Sequence, residues 1–138
     1  MLEKKAIQKL YDSAINARLK SYSPYSKFKV GAALLLKDDN IIVGTNVENA
    51  SYGLANCAER TALFSAITQG YKKDDIKALL VVADTDAPCS PCGACRQVIV
   101  ELMNKDADII LTNLKNDIKE LTVKDLLPFS FSKDDLNV

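Results

Sequence analysis

The sequence contains no histidine among its 138 residues. Histidine is the commonest general base in enzymes and the commonest nitrogen ligand of metal ions, so neither role can be filled in the usual way here. The chain does contain 4 cysteines. In a reducing compartment cysteines are more often metal ligands or reactive thiols than disulfide partners. A zinc site in this protein would therefore have to be built from thiolates and carboxylates.

Net charge is also missing, because 18 basic side chains balance 18 acidic ones. Nucleic-acid binders normally show a basic excess, so a polynucleotide partner is disfavoured. No stretch approaches the roughly 18 apolar residues of a membrane span, and the N-terminus lacks the apolar core of a signal peptide. We therefore expect a cytoplasmic protein with no membrane partner. The composition, 48% hydrophobic and 26% charged, indicates one globular domain over 1–138.

Hydrophobic periodicity predicts a layered α/β domain with a mixed five-stranded sheet. Strands are expected over 28–36, 41–47, 76–83, 108–112 and 117–121. The first two strands flank a turn at 37–40 and should form an antiparallel hairpin. Helices are expected over 4–20, 57–69 and 91–103, with a last helical turn over 122–127, and Ser90-Pro91 suits an N-cap followed by a proline at the first helical position.

Three of the four cysteines lie at the predicted starts of two helices. Cys57 opens the helix over 57–69, and Cys92 and Cys95 lie at the beginning of the next one. Residues three apart share a helical face, so Cys92 and Cys95 can bind one ion together, and Cys57 would complete a three-thiolate site. Three protein ligands leave the fourth position of a tetrahedral zinc ion for water, which is typical of catalytic sites.

Two charged residues follow Cys57 closely. Glu59 could reach water at the metal without coordinating the ion, and a carboxylate there can act as general acid and base. Arg60 could donate hydrogen bonds to a ligand sulfur and offset the negative charge of three thiolates around a divalent ion. Each residue also has a simpler interpretation, Glu59 as a first-turn glutamate favoured by the helix dipole and Arg60 as a solvated charge. The neighbouring cysteines favour the catalytic role of Glu59.

These elements follow a known motif pattern. Zinc deaminases carry a ligand-x-Glu element followed downstream by Pro-Cys-x-x-Cys, which occur here as Cys57-Ala58-Glu59 and Pro91-Cys92-Gly93-Ala94-Cys95. Over nearly its full length the chain resembles the small cytidine deaminases. The stretches that carry this resemblance are Pro24-Tyr25-Ser26-Lys27-Phe28, Val30-Gly31-Ala32-Ala33-Leu34, Asn46-Val47-Glu48-Asn49-Ala50, Asn56-Cys57-Ala58-Glu59-Arg60-Thr61-Ala62 and Ser90-Pro91-Cys92-Gly93-Ala94-Cys95-Arg96-Gln97.

The resemblance implies a three-layer α/β/α fold, a homotetramer with sites at its subunit interfaces, and one zinc ion per subunit. The implied reaction is hydrolytic conversion of cytidine or deoxycytidine to uridine or deoxyuridine, a step of pyrimidine salvage. In family members the residues matching Asn46 and Glu48 bind the ribose hydroxyls, and the residue matching Phe28 packs against the pyrimidine. An amide, a carboxylate and an aromatic ring suit such a ligand. Taken alone, Phe28 would be interpreted as a core residue and the other two as strand-end polar residues.

Two further contacts are implied by the resemblance. The backbone amide of Ala58, together with carbonyl groups near Ser90 and Pro91, would bind the edge of the base. Phe131 is similar to a phenylalanine that enters the site of a neighbouring subunit. Phe129 is an alternative, because the 128–131 segment departs from the glycine-containing segment expected of the family.

Cys89 offers a rival ligand pair, since Pro88-Cys89-Ser90-Pro91-Cys92 also fits Pro-Cys-x-x-Cys. The predicted helix start places Cys89 before the helix, which favours Cys92 and Cys95. Two other functions are considered. One is a deaminase of aminoglycosyl-pyrimidine antibiotics, which shares the Cys-x-Glu element but would not call for Asn46 and Glu48. The other is a structural zinc module closed by all four cysteines, which would have no use for the adjacent carboxylate.

Overall fold

The computed structural model describes residues 2–138, in which five strands form one mixed sheet. The strands are β1 (Val30–Leu36), β2 (Ile41–Thr45), β3 (Ile76–Ala83), β4 (Asp108–Asn113) and β5 (Ile118–Thr122), in the spatial order β2-β1-β3-β4-β5. Strands β3 and β4 are parallel, and the other neighbouring pairs are antiparallel. The predicted hairpin and the mixed five-stranded sheet are therefore confirmed.

Helices cover both faces of this sheet. They are α1 (Lys4–Arg18), α2 (Ala58–Thr68), α3 (Gly93–Leu102) and the short α4 (Val123–Leu126). Helix α1 packs its apolar stripe on one face, and α2, α3 and α4 pack on the other. The central strands β1 and β3 are apolar almost throughout because both of their faces are buried. The structure thus has the three-layer α/β/α fold that the resemblance implied.

The start of α3 differs from the prediction. Cys92, and not Ser90, is the N-cap, and its sulfur accepts a hydrogen bond from the backbone N–H three residues later at 3.5 Å. The expectation that Pro91 begins the helix is therefore wrong. Arg96 explains the difference, because its guanidinium bonds to the Pro91 carbonyl at 2.9 Å and the Ser90 hydroxyl at 2.6 Å and so holds this segment in front of the helix.

Two strands are shorter than predicted. Strand β1 begins at Val30 and β2 ends at Thr45, two residues inside the expected 28–36 and 41–47. A side chain replaces the sheet pairing here, because the Asn46 amide donates to the Phe28 carbonyl at 2.7 Å and its oxygen accepts from the Val30 N–H at 2.9 Å. Phe28 and Asn46 therefore belong to loops that meet at the end of the sheet.

Gly44 allows α2 to lie unusually near the sheet. A Cβ atom at this position would be 2.4 Å from the carbonyl oxygen of Ala58 and 2.5 Å from the backbone nitrogen of Ala62. Only glycine leaves room for this approach. The contact places the first turn of α2, with Cys57 at its N-cap, against β2.

The two helices that begin at the cysteines, α2 and α3, each follow a strand of the sheet, β2 and β3 respectively. Helix α3 follows β3, whose carboxyl end lies beside that of the parallel strand β4. In open α/β sheets, ligands bind in the crevice outside such strand ends. None of the helices within residues 2–138 combines the length and apolar character that a membrane-spanning segment requires.

Candidate active site

The structure brings Cys57, Cys92 and Cys95 together. Cys57 and Cys92 are the N-caps of α2 and α3, and Cys95 lies in the first turn of α3. Their three sulfur atoms lie within 4.8 Å of one another, and the Cys57 and Cys92 sulfurs are 3.8 Å apart. Zinc–sulfur bonds of about 2.3 Å at tetrahedral angles would place two sulfurs about 3.8 Å apart. The three cysteines are therefore positioned to bind one zinc ion.

The surroundings of the cluster favour a thiolate at Cys57. Hydrogen bonds from Cys95, from Arg60 and from Cys92 lower the pKa of Cys57 to about 5, against the opposing effect of burial. The bond to the Cys57 sulfur and burial raise the pKa of Cys95 in turn. An Arg60 terminal nitrogen donates to the Cys57 sulfur at 3.3 Å, and its role in offsetting the charge of a zinc-bound cluster stays a prediction.

Arg60 also carries a polar atom with no partner within residues 2–138. Its Nε atom is buried and makes no hydrogen bond there, although its Nη2 atom is bonded to sulfur. A guanidinium with a buried, unpaired N–H is stabilised by nearby negative charge, which ionised cysteines beside it would provide. The unpaired donor therefore fits a cluster whose sulfurs are thiolates, the form in which cysteines bind zinc.

Glu59 is a buried carboxyl group beside the sulfurs. Only 4% of its surface is exposed, although it is the second residue of α2. Burial is the main reason why the pKa of Glu59 rises to about 7, and the negative charge of Cys57 adds to that rise. A carboxyl group with a pKa near neutral can both accept and release a proton under physiological conditions.

Cys89 lies outside the three-sulfur cluster. Its backbone N–H donates to the Thr112 carbonyl at 2.9 Å, which fixes it beside β4, and its half-buried side chain packs against the core. Burial raises the pKa of its thiol to about 11. The Cys89 sulfur is not among the three that lie within 4.8 Å of one another, so the geometry favours Cys92 and Cys95 as the ligand pair.

The predicted nucleoside contacts Phe28 and Asn46 lie in direct contact with each other. The Phe28 ring is 41% exposed. The Asn46 amide donates one of its two N–H groups to the Phe28 carbonyl, and its oxygen accepts from both the Ser21 hydroxyl and the Val30 N–H. One N–H of Asn46 is therefore still available to a ligand.

Glu48 is held by the loop that precedes Phe28. Its Oε1 atom accepts from the backbone N–H groups of Tyr25 at 3.0 Å and Ser26 at 3.1 Å, and its Oε2 atom accepts a short hydrogen bond from the Ser26 hydroxyl. These bonds, that of the Ser26 hydroxyl above all, lower the pKa of Glu48. A carboxylate has about four acceptor positions, so one is left for a ligand hydroxyl. The side chain lines a surface cavity of about 330 Å³ together with Tyr25 and Tyr52.

The predicted contacts to a base edge lie at the two helix starts. Ala58 is the first residue of α2 and is fully buried, and first-turn N–H groups have no partner inside their helix. The Pro91 carbonyl accepts from Arg96, which also donates to the Leu126 carbonyl at 2.6 Å. Arg96 therefore ties the segment before Cys92 to α4.

The C-terminal phenylalanines are exposed within one chain. Phe131 is 57% exposed, and its backbone carbonyl accepts from the Gln97 side chain at 2.8 Å. Phe129 is fully exposed and has a φ of 56°, a left-handed conformation that is uncommon for a large side chain. Neither ring belongs to the apolar core of its own chain.

Sequence reasoning assigned no role to two of the residues that organise this site. Ser26 bonds to Glu48, and Arg96 bonds to three groups on two segments. Both occur within the stretches that carry the family resemblance. That membership was the only signal, because a lone serine in a turn and an arginine on a helix are ordinary surface residues by composition.

Three cysteine sulfurs from two helix starts, with a buried carboxyl group that interacts with two of these cysteines, define the site of a zinc-dependent hydrolytic enzyme. The family model for the cytidine and deoxycytidylate deaminase zinc-binding region matches residues 4–111. The chain therefore belongs to the cytidine and deoxycytidylate deaminase family, and its cofactor is zinc.

Curated relatives match the chain over almost its full length. A cytidine deaminase of Halalkalibacterium halodurans is 56% identical over 130 residues, which cover 94% of this chain and 97% of the relative. A cytidine deaminase of Sporosarcina psychrophila is 55% identical over 131 residues and 95% of each chain. These relatives are similar to the present chain in length as well as in sequence.

Solved structures show the same fold. The cytidine deaminase of Burkholderia pseudomallei superposes with a TM-score of 0.88 at 52% identity, covering 90% of this chain and 98% of that one. The enzyme of Mycobacterium tuberculosis superposes with a TM-score of 0.77 at 35% identity, covering 91% and 96%. The three-layer arrangement is thus shared with solved members of the family.

Proposed function

We propose that this enzyme hydrolyses cytidine and deoxycytidine to uridine and deoxyuridine, releasing ammonia in a step of pyrimidine salvage. The observation that carries the proposal is the position of Glu59, a buried carboxyl group that interacts with Cys57 and Cys95, two of the three cysteines whose sulfurs suit one zinc ion. The relatives described above are named cytidine deaminases, which supports the choice of substrate.

The residues of the site divide the reaction between them. Cys57, Cys92 and Cys95 would hold the zinc ion, which when bound would supply Lewis-acid activation of water. Glu59 accepts one proton from the attacking water and delivers it to N3 of the pyrimidine as the water oxygen bonds to C4. It then takes the remaining proton from the hydroxyl group on C4 and transfers it to the amino group, which leaves as ammonia when the C4–N bond breaks. Its near-neutral pKa suits a group that must take up and release protons in turn.

The hydrogen-bonding capacity left at Asn46 and Glu48 fits a pair of sugar hydroxyls. Asn46 has one free N–H, which can donate to a hydroxyl oxygen, and Glu48 has one free acceptor position, which can accept a hydroxyl proton. The exposed Phe28 ring beside Asn46 offers a face for the pyrimidine. We propose that the Ala58 N–H and the carbonyls of Ser90 and Pro91 bind the base edge.

We propose a homotetramer in which Phe131 completes the site of a neighbouring subunit. Exposed apolar side chains support this, since Phe64 and Ile67 lie one turn apart on the outer side of α2, and Phe131 projects from the C-terminal segment. Burying such side chains in an interface is favourable. Sedimentation of the purified protein should give four times the 15.1 kDa chain mass, and a monomeric mass would contradict this assembly.

We propose that the chain 1–138 is one domain that works in the cytoplasm. Strand β5 pairs with β4, and Val123 and Leu126 of α4 are buried in the core, so the region after residue 111 supports the same fold. Cysteine thiolates that bind zinc are preserved in a reducing compartment. Limited proteolysis should leave one resistant core, and cell fractionation should place the protein in the cytosol.

The experiment that tests the function is a comparison of substrates. An ultraviolet assay should show loss of the cytidine absorbance with both cytidine and deoxycytidine, and a chelator should abolish turnover while zinc restores it. An aminoglycosyl-pyrimidine antibiotic and a cytosine-containing oligonucleotide are the comparison substrates. The proposal would be overturned if the enzyme turned over either comparison substrate but neither cytidine nor deoxycytidine.

A further inference from the structure

The loop before β1 is shaped by side chains. Residues 24–29 lie outside the sheet ladder, and Lys27 has a left-handed φ of 61° in the middle of the loop. A bulky residue adopts this conformation only where its surroundings determine it. Phe28 follows Lys27, and both its backbone N–H and its carbonyl group are hydrogen-bonded to side chains.

One hydroxyl group holds the amide side of Phe28. The Ser26 oxygen accepts from the Phe28 N–H at 3.0 Å and donates its single proton to the Glu48 carboxylate. Because a hydroxyl has one proton, the bond accepted from Phe28 leaves that proton free to point at Glu48. The carbonyl side of Phe28 is held by Asn46 at 2.7 Å.

The Ser26 backbone contributes as well. Its N–H and that of Tyr25 both donate to the other oxygen of Glu48, at 3.1 and 3.0 Å. Both oxygens of the Glu48 carboxylate therefore accept hydrogen bonds from residues 25–26, and the orientation of the carboxylate depends on that segment. Hydrogen bonds to an ionised acceptor are about twice as strong as neutral ones, and the side-chain member of this set is the one a substitution can remove.

We propose that Ser26 is a positioning residue for nucleoside binding, which aligns Glu48 with the sugar and Phe28 with the base through one hydroxyl group. This inference rests on the proposed function, because it assigns to Glu48 and Phe28 the contacts described above. Within residues 2–138 the hydrogen bonds of Ser26 go to Glu48 and to the Phe28 N–H and none goes to a cysteine sulfur or to Glu59, so its effect falls on substrate binding.

The test is steady-state kinetics of the zinc-loaded Ser26→Ala enzyme with cytidine. The KM should rise about tenfold, as expected for the loss of one charge-assisted orienting bond, while kcat stays within about threefold of the parent. Ser26→Thr keeps the hydroxyl and should restore KM to within about threefold of the parent value. Zinc content and the unfolding temperature verify that each variant is folded and loaded. If Ser26→Ala does not fold, Ser26→Cys, which keeps the shape and donates only weakly, carries the same prediction.

A double-mutant cycle separates positioning from a general structural role. The change Ser26→Ala should raise KM by a smaller factor in a Glu48→Ala background than in the parent, because the part of its effect that acts through the carboxylate is already lost there. A parent-like KM in Ser26→Ala, full additivity with Glu48→Ala, or no rescue by threonine would each overturn the inference. Failure of the proposed function is distinguishable, because then the parent enzyme itself would not turn over cytidine and the inference would fall with it.

Discussion

Because α2 lies so near the sheet at Gly44, the substitution Gly44→Ala should displace the start of α2 and disturb the metal site. The added methyl group would lie 2.4 Å from the Ala58 carbonyl oxygen, whereas a comfortable contact needs about 3.4 Å or more. The start of α2 must therefore retreat by about 1 Å. Overpacking of this size costs about 1–3 kcal/mol of the free energy of unfolding.

The same retreat moves Cys57 relative to Cys92. Metal–ligand distances tolerate about 0.2 Å, so a displacement near 1 Å should weaken zinc binding as well as stability. We expect the Gly44→Ala protein to unfold at lower denaturant concentration and to lose zinc to a chelator at least about tenfold more readily than the parent. Denaturant titration and competition with a coloured zinc chelator measure these two effects.

Gly53→Ala is the matched control. A Cβ atom at Gly53 meets nothing within 4 Å, and its φ is not in the left-handed region. This substitution should change the free energy of unfolding by less than about 1 kcal/mol and leave zinc affinity unchanged. A Gly44→Ala protein as stable as the Gly53→Ala protein and equally retentive of zinc would refute the role assigned to the close approach.

Three other predictions concern the helix starts. Cys89→Ser should keep one zinc ion per chain and parental activity, because this side chain lies outside the sulfur cluster; zinc loss in this variant with retention in Cys95→Ser, measured by metal analysis, would reverse the ligand assignment. After zinc is removed by a chelator, brief alkylation at pH 6.5 should label Cys57 first, because its pKa of about 5 makes it a thiolate at pH 6.5. Peptide mass analysis identifies the labelled cysteine, and preferential labelling of Cys89 would contradict this order. Arg96→Gln should lower kcat/KM about tenfold or more, because it loses bonds to the Pro91 and Leu126 carbonyls, and should speed protease cleavage after α4. A parental kcat/KM together with a parental cleavage rate would argue that Arg96 does not tie the two segments together.

The regular elements could be predicted because burial leaves a periodic trace in the sequence. The strand over 76–83 is apolar except for the exposed Lys77, since both of its faces are covered, and its predicted ends match those of β3. The cysteine cluster could be predicted because a spacing of three residues on a helix fixes which side chains share a face, and because Cys57 precedes a clear helical stripe.

The remaining features depend on contacts between distant residues. Strand β1 starts at Val30 because the Asn46 side chain, 16 positions later, takes the place of ladder pairing. Cys92 replaces Ser90 as the N-cap because Arg96 holds the segment before it. The need for glycine at position 44 appears only once α2 is packed on β2. None of these has a local signature, so periodicity and propensity could not place them.

The proton-transfer role of Glu59 is the central claim, and Glu59→Gln tests it most directly. Glutamine keeps the size of the buried side chain but cannot carry a proton between water and base. The measurement is kcat for cytidine together with zinc content per chain. We expect one zinc ion per chain and a kcat reduced by at least about a hundredfold. A zinc-loaded Glu59→Gln enzyme that deaminates cytidine at the parental rate would contradict the account.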